Sequence, residues 1–219
     1  MIRISDIRQN EEIKTYIRRA DESVGVLGYT EHSFAHVNKC SQLAGNILRL
    51  LDFDERTVEL GEIAAYMHDI GNVVNRQDHS QSGAMMAFYL LNKQGMPPEE
   101  LSIIIAAIGN HDESTGYPVN APSAALILAD KSDVRRSRVR NRDQSTFDIH
   151  DRVNYAVEHS ALVLDKETRT IRLELTIDTE ICAVMDYFEI FLARMLLCRR
   201  AAAFLSLEFA LVINGNQLL

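Results

Sequence analysis

Ala64-Ala65-Tyr66-Met67-His68-Asp69-Ile70-Gly71 is an apolar run that ends in two metal-ligating side chains and a glycine. Upstream, Leu60, Ile63, Ala64 and Met67 recur at i, i+3, i+4 and i+7, so one helical stripe leads into His68. Asp54 suits the N-cap of this helix, and Gly71 suits a C′ position past its end. A buried helix is therefore expected to deliver His68 and Asp69 at its C-terminus. Neighbouring side chains of a regular helix diverge. At a frayed end both can reach one ion, or Asp69 can bridge two ions while His68 binds one.

The same arrangement recurs along the chain. Pro97-Pro98-Glu99-Glu100 opens a helix whose apolar stretch Leu101–Ile108 ends at Gly109-Asn110-His111. Another begins near Pro122 and passes through Leu126, Ile127 and Ala129 into Asp130. Helical spacing also covers Ile13, Tyr16 and Ile17, then Thr30–Leu51 with His36 on its inner face, then Ser82–Lys93. Three apolar helices thus deliver a polar ligand type at or near their ends, as in a helical bundle built around one polar site. Imidazole nitrogens with carboxylate oxygens suit Zn, Mn or Fe, and a shared carboxylate can bridge two ions.

In order, His36, His68-Asp69 and Asp130 resemble the H…HD…D signature of the HD superfamily of metal-dependent phosphohydrolases, over roughly residues 30 to 140. The stretch Ala64–Gly71 is similar to the family's AAxxHDIG segment. His79-Ser80-Gln81-Ser82-Gly83-Ala84 resembles the HxxxGA segment of members with a second metal site, and Gly109-Asn110-His111 their next histidine. The resemblance implies a metal set of His36, His68, Asp69, His79, His111 and Asp130. His36, His68, Asp69 and Asp130 would hold one ion, and His79 and His111 the second, with Asp69 bridging. This dinuclear subgroup includes bacterial enzymes that cleave symmetric dinucleoside tetraphosphates, and its sites often hold iron. The implied cofactor is thus two divalent or trivalent ions per chain, of Fe, Mn, Zn or Mg.

The implied function is hydrolysis of a phosphate ester or anhydride, in a nucleotide or another phosphorylated small molecule, by a metal-activated water. Such water has a lowered pKa, and the same cations neutralise charge at phosphorus. Asp69 is then catalytic as well as a ligand. His32, four residues before His36, resembles the first histidine of the HxxxH in cyclic-nucleotide phosphodiesterases, which implies a general acid. Lys131, Arg135 and Arg138 are the candidates to reach substrate phosphates, from a basic run expected to be helical. Asp78, Asp112 and Glu113 read as solvated loop carboxylates, and His150 and His159 as surface residues. A non-catalytic nucleotide-binding or signalling module is the alternative, and a mixed-valent di-iron oxygenase a third reading.

Composition changes after Arg142. His159–Ile177 reads as a hairpin, because Ile171, Leu173, Leu175 and Ile177 alternate with polar residues. Asp178 suits the cap of a long helix carrying Ile181, Val184, Met185, Phe188, Phe191, Leu192 and Met195 on one side. Met195–Ile213 is the most apolar stretch; Arg199, Arg200 and Glu208 interrupt it, so it reads as buried helix rather than membrane span. Its tail Leu207–Ile213 is a candidate third strand ending at Asn214-Gly215. The expected fold is mostly α: an HD-type helical domain over 1–145, then an α+β region over 146–219 that dimerises the chain or covers the site.

The 219 residues carry a net charge of −8, which argues against general nucleic-acid or anionic-membrane binding. Cys40, Cys182 and Cys198 form no CxxC pair and read as reduced, mostly buried thiols. With no apolar leader at the N-terminus, the expected location is the cytoplasm.

Overall fold

The computed structural model describes residues 1–218. The chain is mostly helical, with a small sheet formed by its C-terminal part. Its helices are α1 (Ile4–Gln9), α2 (Glu11–Val26), α3 (Phe34–Leu50), α4 (Glu55–Met67), α5 (His79–Lys93), α6 (Pro98–Gly109), α7 (Ala121–Lys131), α8 (Ile149–Ala156) and α9 (Val184–Phe204). The strands are β1 (Val157–Asp165), β2 (Thr170–Ile177), β3 (Glu208–Ile213) and β4 (Asn216–Gln217).

Helix α7 is the axis of the core. Every residue from Pro122 to Ala129 is buried, and the helix packs against α3, α4, α6 and α9. A helix apolar on all sides is stable only when surrounded. Ala124, Ala125 and Ala129 let neighbours approach closely, while Leu126, Ile127 and Leu128 each contribute roughly 1.5–3 kcal/mol by burial. The Asn120 side chain starts the helix by accepting from the Ser123 amide at 2.7 Å. Helix α4 begins as its sequence suggests, with Asp54 Oδ1 accepting from the Arg56 and Thr57 amides at 3.0 Å. It ends at Met67, so His68 caps it and Asp69 lies just beyond.

Gly71 does not have the role its position suggests. It lies in a 3₁₀ turn, Ile70–Val73, without a left-handed φ. What it provides is the absence of a Cβ, which would sit 2.0 Å from the His79 carbonyl oxygen and 2.4 Å from the Gly83 amide. Gly83 reciprocates, since its own Cβ would lie 3.1 Å from the His68 carbonyl. The two glycines let the start of α5 lie directly on the His68–Gly71 backbone. Helix α5 also starts three residues before the expected Ser82. Asp78 takes a left-handed conformation, φ 56° and ψ 25°, which short polar side chains tolerate, and this turns the chain into the helix at His79. His79 therefore sits in a helical first turn and not in a loop.

The C-terminal part follows the alternation in its sequence. β1 and β2 form the expected antiparallel hairpin, and Ile171, Leu173, Leu175 and Ile177 face the core. α9 crosses over to place β3 parallel to β2, and Asn214-Gly215, both at positive φ, turn β3 into β4. Helix α8 has no counterpart in the sequence reading. Helix α9 starts at Val184; Asp178 instead holds a turn by accepting from the Glu180 amide at 3.0 Å. Its buried face is Tyr187, Phe191, Met195, Cys198 and Ala202, while Met185 and Leu192 are exposed. The stretch from Met195 is not one helix: it ends at Phe204 and continues as β3 after Ser206 takes a left-handed turn. Residues 135–142 are not helical beyond a 3₁₀ turn at Arg136–Arg138. Cys40, Cys182 and Cys198 are buried free thiols. Among the described residues, no helix is long and apolar enough to cross a membrane.

Gly71→Ala is expected to destabilise the protein by about 3 kcal/mol, the upper end of ordinary overpacking, because the obstructing atoms are backbone. Urea denaturation measures this; a midpoint equal to that of the wild type would contradict the close approach.

Candidate metal centre

Four histidines reach one buried point from four helix ends. His36 lies in the first turn of α3, whose N-cap Ser33 accepts from the Ala35 amide. His68 caps α4, His79 opens α5, and His111 follows α6. Each imidazole is anchored through Nδ1. His68 Nδ1 donates to the Ala65 carbonyl at 2.8 Å, His79 Nδ1 to Arg76 at 3.0 Å, and His111 Nδ1 to Ile108 at 2.6 Å. His36 Nδ1 donates to Asp133 Oδ2 at 2.8 Å. A carbonyl oxygen only accepts, so these bonds fix Nδ1 as the donor and turn Nε2 inward, where it offers a lone pair to a cation whenever the ring is neutral.

The Nε2 atoms point inward at two carboxylates. His36 Nε2 is 3.5 Å from Asp69 Oδ2 and 3.3 Å from Asp130 Oδ1. His68 Nε2 is 3.1 Å and 3.7 Å from the same two oxygens. His79 Nε2 lies 3.7 Å from Asp69 Oδ1 and 3.2 Å from His111 Nε2. Two sets of donor atoms lie within 4.8 Å of one another: His36, His68 and Asp130, and His68, Asp69 and His111. His79 approaches the second set through Asp69 and His111.

These residues fit metal ions on two observations. His68 Nε2 and Asp69 Oδ2 are buried without a hydrogen-bond partner among the described residues. Such orphans cost about 1–3 kcal/mol each unless something binds them. His79 Nε2 and His111 Nε2 face each other at 3.2 Å with both Nδ1 protons used elsewhere, so two lone pairs oppose each other until a cation receives them.

The electrostatics match this chemistry. Burial alone would lower the His68 pKa, but the Asp69 and Asp130 carboxylates overcome it and push it up to about 10, so without a cation the inward Nε2 also carries a proton, which a cation seated against the same carboxylates displaces. Burial lowers His111 to about 3, helped by the charge of His68 and His79. Asp69 and Asp130 stay ionised against burial, Asp69 chiefly through His68 and Asp130 chiefly through Lys131. The result is an anionic pair ringed by imidazoles, a set that binds cations and excludes anions until a cation is present.

The remaining candidates divide. His32 is buried beside the centre, its Nδ1 donating to the Thr30 carbonyl at 2.7 Å, and burial holds its pKa well below the ordinary value. Lys131 is buried and committed to Asp130 at 2.8 Å and Glu113 at 2.7 Å. Arg138 lines the cavity but donates to the Glu31 and Asp133 carbonyls at 2.8 and 2.7 Å. Arg135 does not line the cavity; it pairs with Asp133 at 2.9 Å and Glu31 at 3.3 Å.

Sequence reasoning missed four residues. Asp133 orients His36 and is fully buried among Lys39, Arg135 and Arg138. Glu113 is no solvated loop carboxylate: it bridges Lys131 and Arg194, the latter at 2.8 Å. Arg194 comes from α9 and stacks over Phe191, 4.5 Å from the ring centroid. A single charge inside the apolar run Ile190–Leu197 was the available signal, because a charge there needs a partner. His150, read as surface, lies at the rim of the cavity described next.

The centre forms the floor of a cavity of about 310 Å³. One wall is the Leu27–Thr30 turn with His32 and Arg76. The others come from Arg138, from Asp148, His150, Asp151 and Asn154 at α8, and from Phe191 and Arg194 of α9. The opening thus leads from solvent to Asp69, Asp130, His79 and His111.

Comparison with known proteins agrees. The family model of the HD domain matches residues 29–189, so the chain belongs to the HD domain family. The match runs beyond residue 140, through α8 and the hairpin into α9. An uncharacterized protein of Methanocaldococcus jannaschii is 23% identical over 200 aligned residues, covering 80% of this chain and 76% of that protein. The fold is of the metal-dependent hydrolase type, and its His and Asp groups are able to hold divalent metal.

Asp133→Ala is expected to weaken metal binding about 10- to 100-fold, the usual effect of removing the partner that orients a ligand. Calorimetric titration of Mn²⁺ into chelator-stripped protein measures it. Unchanged affinity would mean that His36 is not a ligand, or is not oriented by Asp133.

Proposed function

We propose that the protein is a metal-dependent phosphohydrolase acting on a nucleotide or another phosphorylated small molecule. One observation carries the reading. Four inward-facing Nε2 atoms and the unpartnered Asp69 Oδ2 converge at the floor of a cavity large enough for a small phosphorylated molecule. The ligand set is complete, which favours turnover over a purely binding module.

In this reading His36, His68, Asp69 and Asp130 hold one ion, and Asp69, His79 and His111 hold a second. Bound ions supply an activated water and neutralise charge on the phosphoryl oxygens. The chain's own groups do the rest. The Nδ1 bonds fix each imidazole before substrate arrives, so no reorientation is required during the reaction. Lys131 pairs with Asp130 Oδ2 at 2.8 Å and helps keep that carboxylate ionised, as a ligand carboxylate would need to be. His32 Nδ1 is committed to the Thr30 carbonyl and burial holds its pKa well below the ordinary value, so its Nε2 carries no proton for a leaving group at neutral pH and water is left as the proton donor. Phe191 and the aliphatic part of Arg194 narrow the access of bulk water from the α9 side.

Asp69→Ala is expected to abolish both metal retention and phosphatase activity, read by elemental analysis and a panel of phosphorylated metabolites. Full activity in that variant would end the proposal. His79→Ala is expected to lower the metal content from about two ions to about one, in line with two-metal hydrolase sites; a content that stays at about two would contradict His79 as a ligand, and a content of about one in the wild type would contradict the second ion.

A further inference from the structure

Four cationic side chains line the cavity: Arg76, Lys131, Arg138 and Arg194. Three are already neutralised by the protein. Lys131 lies between Asp130 and Glu113, Arg194 pairs with Glu113, and Arg138 lies 3.7 Å from the Asp133 carboxylate while bonding two carbonyls. Arg76 forms no ion pair among the described residues. Its contacts are neutral: Nη1 donates to Asn72 Oδ1 at 3.1 Å, and the guanidinium lies 5.5 Å from the centroid of the Tyr29 ring.

Those two contacts fix where the group points. Asn72 is buried, and its Nδ2 donates to Asp69 Oδ1 at 2.9 Å and to the Asp69 carbonyl at 3.0 Å. One amide therefore orients both the central carboxylate and Arg76. The Arg76 carbonyl, in turn, accepts the Nδ1 proton of His79. Arg76 is thus tied to Asp69 through its side chain and to His79 through its backbone. Its position relative to the centre is set by the same short turn that delivers both residues. Of the five N–H donors on a guanidinium, one is used by Asn72, so the fork keeps donors for an anion.

Resting on the phosphohydrolase reading, we propose that Arg76 is the substrate-binding residue for the phosphate group, presented beside Asp69 by Asn72 and Tyr29. An arginine held for purely structural reasons at a cavity wall finds a carboxylate, as Arg138 and Arg194 do here. A guanidinium left with neutral partners beside a cation site is completed by an incoming phosphate, which a planar fork grips with two parallel hydrogen bonds. Arg76 therefore takes the place among the phosphate contacts that the sequence suggested for Arg135.

The test uses inorganic phosphate as the probe, titrated calorimetrically into the protein with its metal bound. Wild type is compared with Arg76→Met, Arg76→Gln and Arg18→Met, an exposed residue of α2, and metal content is measured in each. Loss of one charge-assisted pair is expected to weaken phosphate about 10- to 100-fold in both Arg76 variants, with metal content unchanged and Arg18→Met behaving as wild type. Arg76→Gln keeps a polar group for Asn72, so it carries the test should Arg76→Met not fold. Unchanged phosphate affinity in a folded Arg76 variant with full metal content would overturn this inference and leave the phosphohydrolase reading standing. A metal-loaded wild type that binds no phosphate would overturn both.

Discussion

The structure depends on what its histidines do with the Nδ1 proton. His68, His79 and His111 all fold back onto the carbonyl three residues earlier, and His36 gives its proton to Asp133. These bonds lie on the outside of the cluster, so the lone pairs lie on the inside. A proton placed on Nε2 instead would turn each ligand into a donor and leave the carbonyls without their partners. Because three of the anchors are main-chain atoms at helix ends, the helices cannot shift without moving the ligands. The packing of α4, α5 and α6 is in this sense the second layer of the metal centre.

The arrangement has an energetic cost that the rest of the fold offsets. Buried carboxylates at Asp69, Asp130 and Asp133 are kept ionised by surrounding groups, and two polar atoms stay without partners. Leaving such groups unmatched costs a few kcal/mol, comparable with a large part of a domain's net stability of ~5–15 kcal/mol. The all-round burial of α7 and the close contact of Gly71 with Gly83 supply rigid support next to the centre. Charges alternate outward from it: Asp130 to Lys131 to Glu113 to Arg194 along one side, His36 to Asp133 to Arg135 and Arg138 along the other. Each charged group is thus paired with one of opposite sign on its outer side.

Much of the arrangement was legible in the chain because candidate ligands at helix ends leave a linear trace. His68-Asp69, His111 and Asp130 each follow an apolar run, and His79 precedes a glycine whose smallness the packing requires. Alternation gave the β1–β2 hairpin for the same local reason. What was not legible depends on partners far apart in sequence. Asp133 gains its meaning from His36, 97 positions away, and Glu113 from Arg194, 81 positions away. Arg135 and Arg138 looked alike in the basic run. Only the 3₁₀ turn at Arg136–Arg138, in place of a helix, sends one to the cavity wall and the other to the Glu31–Asp133 pair. Arg76 carried no signal at all, since its distinction is the partner it lacks. Gly71 was read as a C′ glycine past the end of the helix, whereas its place in the structure comes from close backbone contact, because a chain-reversing glycine and a close-contact glycine look the same in one dimension.

The central claim is that the inward lone pairs meet cations. The most direct measurement is an anomalous-scattering map from crystals of protein purified without chelator, with data collected at the absorption edge of the metal found by elemental analysis. Two peaks are expected, one bounded by His36, His68 and Asp130 and one by Asp69, His79 and His111, each facing Nε2 atoms. No peak at the cluster, or histidines turned so that Nδ1 faces inward, would contradict it.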